Sequence, residues 1–247
     1  MHRLLVCTEE LSRERPNLSR DAAMHLKVVR PKDGESVELF DGRGNLREFR
    51  WSASDCALSA AGPLRSSPRR TGRTVTLFAC VTKGSRWDWV VEKATELGVV
   101  RIVPVISART IVRIPASERA AKRGRWMRIA EEAARQSDAA WLPEISEAVD
   151  FNDSLPLVKK TKCFVGALTN PAPRPVFEEV LAARSGPASE WSVYVGPEGD
   201  FIPEELAALL KIATPVSFGP TVLRAETAAI FGASVLVSAS DSSSSQT

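Results

Sequence analysis

Two short segments of this chain gather the residue types that can hold a polar ligand. The first is Val195-Gly196-Pro197-Glu198-Gly199-Asp200, which runs on into Ile202-Pro203-Glu204-Glu205-Leu206. Its glycines let backbone approach a ligand closely, and the later proline suits a first helical turn. No Gly-Lys-Ser/Thr follows and there is no G-x-G-x-x-G, so neither a P-loop nor a dinucleotide fingerprint is present. The second segment is Val216-Ser217-Phe218-Gly219-Pro220-Thr221-Val222-Leu223-Arg224-Ala225-Glu226-Thr227-Ala228-Ala229. Here an apolar run enters a Gly-Pro loop, and Arg, Glu and Thr then open a helix. Charged groups beside a loop and a helix N-terminus make the floor of a polar pocket. By themselves the two segments also read as a plain strand-to-helix turn and an ordinary helix start.

Composition removes several chemistries. His2 and His25 are the only histidines, which argues against Ser-His-Asp hydrolases and H-E-x-x-H metalloproteases. Cys7, Cys56, Cys80 and Cys163 lie far apart with no CxxC pair. They read as reduced, mostly buried thiols rather than a zinc site or a disulfide scaffold. No metal is expected, and the chemistry falls to Arg, Glu, Asp, Thr and backbone groups. No apolar run approaches the roughly 20 residues that span a bilayer, and the first residues turn acidic at Glu9-Glu10 before any secretory h-region develops. The expectation is a cytoplasmic protein without a membrane segment. The net charge is +3, unevenly spread. Arg65, Arg69, Arg70 and Arg73 bunch around Pro63 and Pro68, and Arg113, Arg119, Lys122, Arg123, Arg125 and Arg128 bunch again. Such clusters suit RNA phosphates, or equally a solvated linker and helix face.

The elements that must position these residues fall into two textures. At first come short β segments: Ser36-Val37-Glu38-Leu39-Phe40 alternates, ends in the double-glycine turn Asp41-Gly42-Arg43-Gly44-Asn45, and resumes from Leu46. A short helix begins near Ser19-Arg20-Asp21 and closes at about Arg30. Residues 62–72, rich in Pro, Ser, Gly and Arg, read as a linker. Beyond it, apolar strands at 74–81, 99–106, 162–168 and 191–195 alternate with helices, the first capped by Ser85 and stopped by Gly98, another capped by Ser117. That alternation predicts an α/β domain with a parallel sheet, preceded by a small β-barrel. The boundaries are 1–70 for the barrel, 73–239 for the α/β domain, and a disordered Ser-rich tail at 240–247, its serine enrichment starting at Ser238.

In order, Lys83-Gly84, Glu92-Lys93-Ala94-Thr95-Glu96-Leu97-Gly98, Pro104, Arg109, Gly196-Pro197-Glu198-Gly199, Gly219-Pro220 and Leu223-Arg224-Ala225-Glu226-Thr227-Ala228 closely resemble the bacterial 16S rRNA uracil-N3 methyltransferase family known as RsmE, of the SPOUT class. His25-Leu26, Val29-Arg30, Gly34 and Phe40-Asp41-Gly42 are similar to the PUA-like RNA-binding module of that family. The resemblance covers nearly the whole chain except the tail. It implies a trefoil knot that binds S-adenosylmethionine, a homodimer, and 16S rRNA in the small ribosomal subunit as substrate. Matching motif to motif, it puts the cofactor against Leu168, Gly196, Glu198, Gly199, Phe218, Gly219, Leu223, Arg224 and Thr227. Two positions depart from the family pattern: Asp200 stands where a further glycine is usual, and Arg135-Gln136-Ser137-Asp138-Ala139-Ala140 keeps a glutamine but not the charged residues around it.

N-methylation of a uracil requires loss of the imide proton, helped by a base or by cations that stabilise the anion. On the resemblance, Arg224 would stabilise that anion or orient the base. Glu226 would be the base or would hold Arg224, although the pair also reads as a simple salt bridge. Arg3, Arg30, Lys83, Arg86 and Arg109 would contact RNA phosphates. The alternatives are a SPOUT enzyme with a different target base and a noncatalytic rRNA-binding or assembly factor.

Overall fold

The computed structural model describes residues 2–68, 72–169 and 171–240. The chain divides into two compact units: Met1–Arg69 with Glu131–Leu142, and Arg70–Ala130 with Pro143–Thr247.

In the first unit, β1 (His2–Leu5), α1 (Thr8–Leu11), α2 (Arg20–Val29), β2 (Ser36–Phe40), β3 (Asn45–Ser52), β4 (Ala57–Ala60) and β5 (Arg65–Ser66) follow in order. The sheet runs β1-β2-β3-β4, with β5 on β3. β1 pairs parallel to β2, and the other pairs are antiparallel. Leu4, Leu11, Leu26, Val37, Leu39 and Phe49 form its core. Ser19 caps α2, its hydroxyl accepting from the Ala22 amide at 3.2 Å. The Asp41 carboxylate organises the β2–β3 turn, accepting from the Arg43 and Asn45 amides at 2.8 and 3.0 Å and from the Thr8 hydroxyl at 2.9 Å. Gly44 has φ +93° and lies against the Trp141 ring, where a Cβ would collide; only glycine fits such a turn. The 62–72 segment is not purely a linker, because it contributes β5, and Arg65 Nη2 reaches Glu38 Oε2 at 2.9 Å. Arg69 and Arg70, part of the basic bunch, lie outside the described residues.

The second unit holds β6 (Thr74–Cys80), α3 (Ser85–Leu97), β7 (Arg101–Ile106), α4 (Ala116–Gln136), β8 (Glu144–Ile145), β9 (Val149–Asp150), α5 (Phe151–Val158), β10 (Lys162–Gly166), α6 (Val176–Ala183), β11 (Glu190–Val195), α7 (Pro203–Leu210), β12 (Thr214–Val216) and α8 (Ala225–Ser240). Only the part of α4 before Glu131 belongs to this unit. The sheet order is β12-β10-β11-β6-β7-β8, with β9 on β7. Every pairing is parallel. The strands are apolar along their length because a parallel sheet is covered on both faces. Phe78 stacks on Tyr194 in the core, Phe151 and Phe201 meet Tyr194 edge-on, and α8 packs on α3, β6 and β11.

Three local expectations need correcting. Gly84, not Ser85, is the N-cap of α3; at φ +65° it takes a turn that a Cβ would strain, and Ser85 becomes the first helical residue. Ser117 falls inside α4, which starts at Ala116. Ser238 to Ser240 continue α8, with Ser240 buried and its hydroxyl bonded to the Val237 carbonyl at 2.7 Å. The rest of the expected tail, 241–247, lies outside the described residues.

Candidate cofactor site

β10, β11 and β12 are neighbours in the sheet, and their carboxyl ends open into one cavity of ≈ 310 Å³. Each strand delivers a loop to it: Gly166 to Leu168 after β10, Val195 to Glu198 with Asp200 after β11, and the run from Val216 to Gly219 after β12. Thr221 to Ala225, with Ala228 on the first turns of α8, closes the remaining side. Ligands gather at this end of a parallel sheet, and the two segments singled out by residue type are brought together there.

The loops are tightly specified. Phe218 covers Gly166 where a Cβ would overlap its ring, and a Cβ on Gly232 of α8 would come within 2.8 Å of Val193 and 3.2 Å of the same ring. A Cβ on Gly196 would meet the Phe201 ring at 3.1 Å. Asp200 closes a turn, its amide donating to the Pro197 carbonyl at 2.9 Å, and its φ of +59° is the left-handed conformation that glycine prefers and aspartate tolerates. The Ser217 amide donates to Arg174 and the Val176 amide to Ser217, each at 2.9 Å, pinning the β12 loop to the start of α6.

Of the residues matched to the cofactor, Leu168, Gly196, Glu198, Phe218, Gly219, Leu223 and Arg224 line the cavity. Gly199 and Thr227 do not. Instead, the Gly199 carbonyl accepts from Arg109 Nη1 at 2.8 Å, so Arg109 braces the β11 loop. Arg224 precedes α8 and its carbonyl receives the Ala228 amide at 2.8 Å.

Glu226 has a different partner from the one expected. Arg86, on the first turn of α3, places Nε 3.8 Å from Glu226 Oε1 and Nη1 3.6 Å from Glu198 Oε1. The ion pair of Glu226 is with Arg86 rather than Arg224, while its Oε2 is buried with no hydrogen-bond partner among the described residues. The role of Arg86 was missed because the two carboxylates lie more than a hundred residues further along the chain. No local spacing carries that signal.

Among the phosphate candidates, Lys83 and Arg30 are exposed. Arg3 is not: it is 5% exposed, bonds to Glu38 at 2.8 Å and to the Ala134 carbonyl at 2.8 Å, and lies over the Phe40 ring. A guanidinium so enclosed is a structural group of its own unit and leaves the set of phosphate contacts. Most of the second basic bunch is also engaged internally. Arg113 bonds to the Ser107 and Ala108 carbonyls, Arg119 to Asp150, Arg123 to the Ile145 carbonyl and Arg125 to Asp88.

Burial pushes the Cys80 and Cys163 thiols up to about 12 and the Tyr194 phenol well above its ordinary value, so none of the three is a nucleophile at neutral pH. Cys7 and Cys56 are exposed, contrary to the expectation of mostly buried thiols, and all four cysteines are unpaired. No group of His, Cys, Asp and Glu among the described residues could hold a metal ion, and no helix among them is long and apolar enough to cross a membrane.

A parallel sheet with a glycine-bearing cavity at its carboxyl strand ends defines an α/β protein with a ligand-sized site where such sheets gather their ligands. Residues 69–237 match the RNA methyltransferase domain family. The ribosomal RNA small subunit methyltransferase E of Synechocystis is 29% identical over 231 residues, covering 92% of this chain and 74% of the relative. A Legionella pneumophila protein solved in complex with the bound cofactor SAM superposes with TM-score 0.79 at 27% identity, covering 96% of this chain and 97% of that one. A ribosomal RNA small subunit methyltransferase E from Neisseria gonorrhoeae, bound to S-adenosyl methionine, gives TM-score 0.81 at 25% identity and the same coverages. The chain belongs to the RNA methyltransferase family.

Proposed function

We propose that this protein transfers the methyl group of S-adenosylmethionine to N3 of a specific uridine in 16S rRNA of the small ribosomal subunit. One observation carries the reading: the cavity walled by the β10, β11 and β12 loops, in a chain that shares its fold with SAM-bound structures. Its makeup fits the cofactor. Glycines at 166, 196 and 219 leave backbone open for adenine, Leu168, Val222 and Leu223 supply apolar surface, and Glu198, Asp200 and Arg224 offer charges to a zwitterionic amino acid and a ribose. When bound, the cofactor supplies an electrophilic methyl group.

The protein's own contribution is to position the acceptor and manage its proton. Arg224, lining the cavity, stabilises the uracil anion or orients the base. Glu226 acts through Arg86, holding that guanidinium beside Glu198 so that the β11 loop and the start of α8 stay in register. Lys83, Arg109 and Arg30 meet RNA phosphates. Residues 1–70 act as a PUA-like RNA-binding barrel and 73–239 as a SPOUT domain whose β12 loop threads a trefoil knot. The protein works as a homodimer in the cytoplasm, where its substrate is assembled.

The test is mass-spectrometric mapping of methylated uridines in small-subunit rRNA from cells with and without the protein, alongside calorimetry with S-adenosylmethionine. Loss of one N3-methyluridine, together with saturable heat release, is expected. An unchanged modification map, or no heat, removes the reading.

A further inference from the structure

Glu205, on the first turn of α7, is a charged side chain only 8% exposed. Its Oε2 accepts from the Ile202 amide at 3.3 Å, the return bond of a capping box. That bond alone does not require burial. Oε1 makes a second one, accepting from the Ala108 amide at 2.8 Å, 97 residues earlier in the chain. A buried carboxylate is costly unless its oxygens are satisfied. Here one oxygen holds the exit of the β11 loop and the other holds the loop between β7 and α4.

The β7–α4 loop is fixed where Glu205 grips it. Thr110 Oγ1 accepts from the Ser107 amide at 2.9 Å, and Arg113 donates to the Ser107 and Ala108 carbonyls at 3.2 and 2.9 Å. From the same loop Arg109 donates to the Gly199 carbonyl at 2.8 Å, and its stem passes 3.5 Å from where a Cβ on Gly199 would stand. Two ties therefore reach the β11 loop from one side, at Gly199 and at Ile202, flanking Asp200. Gly196, Pro197, Glu198 and Asp200 line the strand-end cavity, whereas Glu205 and Arg109 do not.

We propose that Glu205 is a positioning residue for the cofactor: with Arg109 it makes the β7–α4 loop an outer buttress that holds the β11 loop in the shape that receives S-adenosylmethionine. This rests on the strand-end cavity being the cofactor site, as proposed above. A loop already held in its bound shape spares the ligand the cost of ordering it. A segment is fixed only when both its ends are held, so loss of either tie frees the loop and loss of the second adds little.

The experiment has two readouts on the intact protein. Calorimetry uses S-adenosylmethionine alone, so no RNA contact of Arg109 enters. Glu205→Gln keeps the size but offers an acceptor to only one of the two amides, and Arg109→Met removes the other tie. Each should raise the dissociation constant about tenfold, as expected for one hydrogen bond to a charged group. The double variant should fall well short of the product of the two effects. Glu204→Gln removes an exposed charge from the same helical turn and should bind as the parent does. In turnover, Glu205→Gln should raise KM for the cofactor while kcat falls by less than about twofold. In the second readout, hydrogen exchange of the ligand-free variant should quicken at Ala108 and through 196–202, with the sheet as protected as in the parent. Parent-like affinity or parent-like exchange in that loop overturns the buttress and leaves the cofactor cavity standing. Multiplicative effects, or faster exchange throughout the sheet, also overturn it. A parent protein that binds no S-adenosylmethionine overturns the cavity reading and this one together. Should Glu205→Gln fail to fold, Arg109→Met, at an exposed position, carries the same affinity and exchange tests.

Discussion

Phe218 occupies the space that a side chain at Gly166 would need, so the β12 loop closes over the end of β10 only because position 166 has no Cβ. Gly166→Ala must displace the ring, which helps to wall the cavity. Overpacking of this kind costs about 1–3 kcal/mol, and S-adenosylmethionine should bind about tenfold more weakly by calorimetry. Gly166→Ala with Phe218→Leu should recover much of the loss. No recovery would mean that Phe218 is not the obstacle.

Arg86 separates two roles cleanly. As the counterion of Glu198 and Glu226 it would serve the proposed methyl-transfer site; as a phosphate contact it would belong to RNA binding. Arg86→Gln should lower kcat while leaving the salt dependence of RNA binding unchanged. A slope shallower by about one would return it to the phosphate contacts.

Asp200 holds a left-handed turn at φ +59° in the wall of the strand-end cavity. Asp200→Gly should keep cofactor affinity within about twofold, since glycine takes this conformation without strain. Asp200→Val should weaken it severely, a β-branched residue being disfavoured there. Equal affinities for the two variants would show that turn geometry is not what the position provides.

The Asp41 carboxyl is held below its ordinary value. Burial opposes ionisation, but hydrogen bonds from the Asn45 side chain, the Arg43 and Asn45 amides and the Thr8 hydroxyl outweigh it. A folded-state pKa below the unfolded one adds stability above the unfolded value, and that stability is lost as pH falls through the lower, folded value. The melting-temperature gap between the parent and Asp41→Ala should be full at neutral pH and shrink below about pH 4. A gap that is flat down to acid would assign the effect to turn geometry instead of charge.

Thiol labelling of the native protein at mild alkaline pH should modify Cys7 and Cys56 and spare Cys80 and Cys163, which are covered and whose thiols burial pushes up to about 12. All four should react after denaturation. Labelling of Cys80 in the native state would mean that the sheet centre opens.

Much of this was legible in the residues. The alternation of apolar strands with helices gave the parallel sheet, Gly98 the end of α3, and Pro203 the start of α7. The two loops were visible because glycine, proline and charged residues cluster locally. What escaped were relationships made only in space. Arg3 looks like any surface arginine until Glu38 and two distant carbonyls enclose it, and Arg86 gives no hint that Glu198 and Glu226 flank it. Ser85 and Ser117 were misread because a cap is decided by backbone angles at a neighbouring residue, not by the presence of a hydroxyl. β1 and β5 were missed because each is too short to show a period.

The helix α4 is assigned partly to each compact unit, and Arg3 completes its hydrogen bonds only with Ala134 and Ala139, just past the division. The amino-terminal module is therefore discontinuous in the gene. A fragment ending at Pro68 would leave a buried guanidinium without its carbonyl acceptors and Gly44 without the indole of Trp141 that covers it. Such a piece should aggregate or be degraded rather than fold, and swapping modules between relatives will succeed only if the stretch 131–142 travels with the first 68 residues.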